Sequence, residues 1–254
     1  MKSIDKKPLL SIITVCLNEK NRIKKTLDSI FGQTYSMYES IVIDGGSVDG
    51  TKELIEREYL CRLSCFISEK DDGIYDAMNK GIVKSRGEYL LFLNAGDYLV
   101  DENVLLNAFS YDLIEDIIIF DLTIKKSRNE SFIHSLCQYK INKRFCYHKA
   151  LPHPSTFFKR ELFIKYGYYD KKLKIVGDHE LEMRFLTKSN VKLKCIPLVL
   201  SVFSLDGISA NINNLRIIQK ETMLARRSNY PFYERIVFEF LNALDNKILR
   251  LLKI

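Results

Sequence analysis

Tyr89-Leu90-Leu91-Phe92-Leu93 is an unbroken apolar run that ends abruptly in Asn94-Ala95-Gly96-Asp97. A run this short, bounded by a turn signal, predicts a strand buried on both faces, and such strands belong to the interior of parallel sheets. Open parallel sheets are covered by helices on both faces and take their ligands at the carboxyl ends of the strands. Asn94 and Asp97 supply oxygen ligands at such an end, where a hard cation carrying phosphates would sit.

The preceding residues repeat the pattern. Leu9 to Leu17 is rich in β-branched and apolar residues and predicts a first buried strand, with Asn18 and Glu19 at its end. Ile23, Leu27, Ile30 and Phe31 recur at helical spacing up to Gly32. Ser40 to Asp44 predicts a second strand. It runs into Gly45-Gly46-Ser47-Val48-Asp49-Gly50-Thr51, where glycine permits close backbone approach to a ligand and a helix starts near Thr51. Cys65 to Ser68 predicts a third strand, and Ile74, Ala77, Met78, Gly81 and Ile82 mark one face of a helix leading into the Tyr89 run. Alternation of this kind predicts a parallel α/β sheet. Asn18, Asp44, Asp72 and Asp97 all fall at predicted strand ends. Singly, each reads as a turn or cap residue; four in succession mark a ligand edge.

With 254 residues, 46% of them apolar and 28% charged, the chain has the composition of one extended globular domain or two closely joined ones. A net charge of +7 favours anionic partners. The basic residues are dispersed and accompanied by no recognition motif, which argues against nucleic acid. Cys16, Cys61, Cys65, Cys137, Cys146 and Cys195 form no Cys-x-x-Cys pair, so the expectation is reduced thiols in a cytoplasmic protein and no zinc site. Met1 to Pro8 lacks an apolar signal core, and no apolar run is long enough to span a bilayer, so membrane association is expected to be peripheral.

The combination of Ser11-Ile12-Ile13-Thr14, Gln33-Thr34, Ile43 to Thr51, Gly73 to Ile82 and Gly87 to Asp97 resembles the family 2 glycosyltransferases, and the region from Pro152 to Phe185 extends the likeness. The resemblance implies a GT-A fold, which is Rossmann-like with a mostly parallel central sheet flanked by helices. It also implies a nucleotide-diphosphate sugar donor, with a UDP-sugar expected, a divalent metal (Mg or Mn) and inversion at the anomeric carbon. Carried onto this chain, it assigns nucleotide binding to Thr14, Cys16, Asn18, Glu19 and Asp44, and the donor site to Asp72, Asp76, Asn79 and Asn94. Asp97 is the implied metal ligand. The sequence departs from the family pattern at Gly45, where many relatives carry a second Asp, and in Asn94-Ala95-Gly96-Asp97, which leaves a single carboxylate. Magnesium is commonly held by one or two carboxylates with water and substrate phosphates completing its shell, so one Asp is chemically adequate.

Beyond Asp101 the periodicity changes. Asp116 to Ile124 predicts a strand, Lys125 to Glu130 a charged turn, and the basic, irregular segment to Ala150 acceptor-side structure. Leu151 to Phe158 leads to a helix containing Leu162, Phe163 and Tyr166, stopped by Gly167. In the resembling family such a segment returns to the active site, which makes His153 and Ser155 candidate substrate contacts. Leu181 and Phe185 stand four apart, consistent with a helix starting at Asp178. Inverting transfer needs one base for the acceptor hydroxyl, and the resemblance matches Asp178 to it; His179 and Glu180 are the fallback bases and substrate contacts.

The tail reads as helical. Asn211 to Asn229 carries Ile217, Ile218 and Leu224, after Asp206-Gly207-Ile208-Ser209, which resembles a segment near the acceptor in relatives. Pro231 opens a second helix whose apolar face is Ile236, Val237, Phe240, Leu241, Leu244, Ile248, Leu251 and Leu252, with Lys247, Arg250 and Lys253 near its end. That face would dock on the core, pair with a second subunit as a homodimer, or lie on an anionic inner-leaflet membrane; Glu234, Glu239 and Asp245 dilute its basic character and place docking or dimerisation first. The expected division is a nucleotide-sugar half (1–110), an acceptor half (111–210) and a helical tail (211–254). The expected function is inverting transfer of a sugar to a hydroxyl of a saccharide acceptor, lipid-linked, in surface polysaccharide synthesis. The alternative is a non-catalytic nucleotide-sugar-binding or assembly protein on the same fold.

Overall fold

The computed structural model describes residues 8–125, 130–188, 190–204 and 214–251, with side chains through residue 245. The 126–129 part of the charged turn, the Asp206-Gly207-Ile208-Ser209 segment and the side chains of Lys247, Ile248, Arg250, Leu251, Leu252 and Lys253 lie outside that description.

Four parallel strands form the first half of the sheet in the order β3 (Cys65–Ser68), β2 (Tyr38–Asp44), β1 (Leu10–Cys16), β4 (Tyr89–Phe92). β1 is buried along its whole length, and its alternate residues feed two separate cores. Leu10 and Ile12 pack with Ile23, Leu27 and Ile30 of α1 (Lys20–Phe31) and with Leu54 and Ile55 of α2 (Thr51–Glu58). Ile13 and Val15 pack with Ala77, Met78 and Ile82 of α3 (Ile74–Lys84) on the other face. Each helix presents the apolar stripe expected from its spacing, so period two in the strands and period 3.6 in the helices close on one another. The register sets Cys16 beside Asp44 and Asp44 beside Ser68, which aligns these three strand ends.

The second half departs from simple alternation. Thr156–Lys159, expected only as a lead-in to a helix, is a strand, β8, that lies antiparallel between β4 and β6 (Ile117–Lys125). β9 (Leu193–Ser204), where no strand was expected, runs parallel to β6 and pairs at its far edge with β5 (Tyr98–Leu99). Pro197 disguises β9 in the sequence; it falls where the pairing jumps from Phe120–Ile196 to Asp121–Val199, an irregularity that tolerates the missing N–H. The irregular segment to residue 150 contains β7 (Ser131–His134), paired with β6, and α5 (Lys143–His148), capped by Asn142. α4 (Val104–Ala108), α6 (Arg160–Tyr166) and α7 (Gly177–Lys188) complete the layers.

Two tail helices follow, α8 (Leu215–Asn229) and α9 (Phe232–Leu251). α8 rests on α7, and Ala225, Tyr230 and Phe238 form a small third core with Tyr147 and Met183. The docking expected for α9 is made by the opposite face from the one anticipated: Phe238 is buried, while Ile236, Val237, Phe240 and Leu244 are exposed. Among the described residues, no helix is long and apolar enough to cross a membrane.

Candidate active site at the carboxyl edge of the sheet

The loop after β2 is built around Asp44. Its carboxylate is fully buried and accepts from the Ser47 N–H at 3.1 Å, the Ser68 hydroxyl at 2.7 Å and the Ser47 hydroxyl. The Cys16 thiol approaches it at 3.7 Å, and burial, with the Asp44 charge added, pushes that thiol up and keeps it protonated. Asn18, left-handed at φ 57°, ties β1 to the same loop: its N–H donates to Ser47 Oγ at 2.7 Å and its Oδ1 accepts from Val48 N–H at 2.9 Å. Glu19 N–H donates to Thr51 Oγ1 at 2.9 Å, while the Glu19 carboxylate holds Arg22. Thr14 lies deeper in β1, with a buried hydroxyl that has no partner among the described residues.

After β4 the chain stays beside β1: Leu93 N–H donates to Ile13 O at 3.0 Å and Ala95 N–H to Val15 O at 3.2 Å. The turn closes with Asp97 N–H on Asn94 O at 3.0 Å, and Gly96 supplies the φ of 106° it needs. Asn94 Oδ1 is buried without a hydrogen-bond donor. Asp97 is 7% exposed, accepts one long bond from Ser204 N–H at 3.3 Å, and is pushed up to about 7 by burial, against that bond and the charge of Arg22. A carboxylate whose ionisation burial opposes, together with an unpartnered amide oxygen in the same turn, is a hard-oxygen set suited to a Mg- or Mn-type cation. No group of three or more His, Cys, Asp or Glu suited to a metal occurs among the described residues, so the rest of the shell would come from ligand and water.

The loop before α3 packs on the Asp44 loop, where Asp71 lies so close to Gly45 that a Cβ there would meet its carboxylate at 2.4 Å. That contact explains in steric terms why Gly stands at position 45. Asp72 is exposed and its N–H donates to Asp76 at 3.2 Å. Asp76 is paired with Lys171 at 3.0 Å and Lys80 at 3.4 Å; burial opposes ionisation, but these cations leave its carboxyl below the usual range. Asn79 clamps the Tyr169 backbone with two bonds of 3.0 Å, so its amide is committed to the fold.

A ring of contacts joins this edge to α7. The His153 imidazole stacks on Phe92, the last residue of β4, at 5.1 Å, and its Nε2 shares a 3.0 Å hydrogen bond with the Tyr169 hydroxyl. Tyr169 stacks on Tyr75 at 5.4 Å. The Tyr75 hydroxyl donates to Ile175 O at 2.6 Å, accepts from Gly177 N–H at 2.8 Å and lies 3.4 Å from Asp178 Oδ1. Gly177 is required for this approach, because a Cβ would meet the Tyr75 ring at 2.6 Å. Burial holds His153 below its usual value, with the Asp178 charge opposing. Asp178 itself is half-buried at the first turn of α7.

The other acceptor-side candidates point elsewhere. Ser155 is buried between β6 and β9, donating to Asp121 O at 3.2 Å and sharing a 2.7 Å bond with Ser201. His179 donates to Cys146 O at 2.5 Å on the α5 side. Glu180 pairs with Arg184 at 2.5 Å and accepts from Asn229 of α8 at 3.0 Å. Three residues not singled out from the sequence shape the site. Tyr75 bridges α3 to α7. Glu182, one helical turn beyond Asp178 and fully buried, accepts from Leu151 N–H at 2.8 Å and holds the His153 segment; burial pushes its carboxyl well up. Glu221 of α8 accepts from the N–H groups of Lys174, Ile175 and Val176 at 2.8, 3.0 and 3.0 Å, fixing the entry to α7. Tyr75 lies within a recognisable motif, but nothing in local pattern marks Glu182 or Glu221, whose partners are 31 and 45 to 47 residues away.

A parallel half-sheet with its loops gathered at one edge, extended by β8, β6 and β9 and followed by helices, is the GT-A architecture. Two solved GT-A glycosyltransferases share it. TarS from S. aureus, solved in complex with UDP-GlcNAc, superposes with a TM-score of 0.64 at 19% identity, over 77% of this chain and 58% of that one. The mannosyltransferase PcManGT from Pyrobaculum calidifontis, in complex with GDP-Man and Mn2+, gives 0.63 at 19% identity, over 85% and 62%. The sequence model of "Glycosyl transferase family 2" matches residues 11–166, and the chain belongs to that family. A curated relative, the PGL/p-HBAD biosynthesis glycosyltransferase of Mycobacterium tuberculosis, is 26% identical over 226 residues, 86% of either chain.

Proposed function

We propose that this glycosyltransferase moves a sugar, with inversion, from a UDP-sugar to a hydroxyl of a lipid-linked saccharide in surface polysaccharide synthesis. The observation that carries the reading is the continuous path Phe92–His153–Tyr169–Tyr75–Asp178, which couples the strand leading to Asp97 to the helix bearing the one half-buried carboxylate of the ring. TarS with UDP-GlcNAc and PcManGT with GDP-Man support a nucleotide-sugar donor, of which the reading takes the uridine form, and the relative named for PGL/p-HBAD biosynthesis supports a biosynthetic transferase.

In this reading the Asp44 loop, Asn18 and Glu19 receive the nucleoside, while Thr14 and Cys16 shape the strand end beneath it. Asp72 and Asp76 border the donor and Asn79 braces that border from behind. Asn94 and Asp97 would hold the divalent metal, which neutralises the departing nucleoside diphosphate when bound. Asp178 accepts the proton as the acceptor oxygen forms the new bond to the anomeric carbon, and the bond from that carbon to the diphosphate breaks on the opposite face. Tyr75 and His153 brace this end of the site through their contacts with Gly177, Ile175 and Tyr169.

Calorimetric titration with nucleoside diphosphates and nucleotide sugars, with and without Mg or Mn, tests the donor side on wild type and Asp97→Ala. Metal-dependent binding of one nucleotide sugar, lost in the variant, is expected. Binding indifferent to both metal and mutation would overturn the role given to Asp97.

A further inference from the structure

α9 is mounted with its apolar stripe outward. Phe232, Tyr233, Ile236, Val237, Phe240 and Leu244 share one helical face and are between 42% and 70% exposed. The other face attaches the helix to the body: Phe238 is buried, Glu234 pairs with Lys143 and Asp245 with Arg144, each at 2.5 Å, and Glu239 accepts from Tyr147 at 2.9 Å. A surface helix ordinarily buries its apolar stripe. Here Glu234, Glu239 and Asp245 are paired with Lys143, Arg226 and Arg144, and the Phe232–Leu244 stripe carries no charge of its own.

The neighbouring α8 supplies the matching charge. Arg216, Lys220 and Arg227 lie on its exposed face beside Met223 and Leu224, and none of the three basic residues has an ion-pair partner among the described residues. Between the helices is a cavity of about 350 Å³ bordered by Met223, Arg226 and Arg235, and the buried Nε of Arg235 has no hydrogen-bond partner there. Apolar rings flanked by unpaired cations match the boundary of an anionic bilayer, where rings enter the acyl region and cations stay among phosphates. A two-fold contact with a second copy fits less well, because it would bring like charges together while the described acidic residues of α9 are already paired with Lys143, Arg226 and Arg144.

We propose that the outward face of α8 and α9 is a docking surface for anionic lipid. This deepens the lipid-linked part of the reading above. Glu221, on the inner side of the same hairpin, accepts from the N–H groups of residues 174–176 just ahead of Asp178, so three hydrogen bonds join the docking helices to the start of α7.

The test is sedimentation of the full chain with vesicles of phosphatidylcholine alone or with phosphatidylglycerol added, for wild type, a Phe232→Ser/Phe240→Ser variant and an Arg216→Gln/Lys220→Gln/Arg227→Gln variant. Wild type should partition onto the anionic vesicles at least about tenfold better than onto neutral ones, each variant should lose at least about tenfold, and added salt should weaken binding. No sedimentation, equal partition onto both vesicle types, or binding insensitive to either variant would overturn the proposal. So would concentration-dependent dimerisation, abolished by the Phe variant, in place of vesicle binding. Circular dichroism and calorimetric donor binding, expected unchanged in both variants, confirm their folding and separate failure here from failure of the transferase reading.

Discussion

Asp97 and Asp178 are both acidic residues at the ends of predicted elements, yet one is buried and the other half-buried. Asp97 is buried and pushed up to about 7, whereas its ordinary value is 3.8. A carboxyl raised in the folded state contributes stability that is present below the unfolded value and is lost as pH rises through 7. Asp97→Asn should therefore raise the melting temperature relative to wild type at pH 8, on the order of 5 °C, with little difference at pH 4. Mn with a nucleoside diphosphate should stabilise wild type at pH 8 and leave that variant unchanged in a thermal-shift assay. Asp178 is half-buried in the first turn of α7. Asp178→Asn should lower kcat by about 10²–10⁴-fold with donor affinity intact, measured by turnover and calorimetry in parallel. Unchanged turnover would remove Asp178 from the mechanism.

Elements explain why some candidates joined the site and others did not. The first half was legible because each strand and helix there is local: periodicity, a stop at Gly32 and strand ends at Asp44 and Ser68 are all written within a few residues. β8 and β9 were not, since one is a four-residue edge of a helical segment and the other is interrupted by Pro197; long-range pairing, not propensity, makes them strands. The same holds for side-chain direction on α7. Asp178, His179 and Glu180 are consecutive, so a helix must send them to different faces: toward Tyr75, Cys146 and Asn229 respectively. The entry to α7 depends on Glu221, whose removal leaves three backbone N–H groups without their acceptor. Glu221→Ala should cost about 2–4 kcal/mol by chemical denaturation and lower kcat more than it weakens donor binding. Gly177→Ala should act on the same joint, since its Cβ needs space the Tyr75 ring occupies.

For the molecule as a whole, the tail packs on the α5 and α7 side of the body. Its inner face supplies Glu221, Asn229, Tyr230 and Phe238 to α7 and α5, so removing residues 214–254 should expose Tyr147 and Met183, lower the melting temperature and abolish turnover even though every proposed donor contact remains. A truncated chain that kept full turnover would separate the tail from catalysis.

Alternation of buried runs with amphipathic segments was sufficient to read a parallel α/β sheet with Asn18, Asp44 and Asp97 at or just beyond its strand ends, because those signals arise between neighbours along the chain. Closure depended on contacts between distant residues. The path from Phe92 to Asp178, the acceptor role of Glu221 and the outward turn of the α9 stripe each arise where segments dozens of residues apart meet, and which face of a helix meets its neighbour is settled by packing, since the same amphipathic pattern permits either side to face inward.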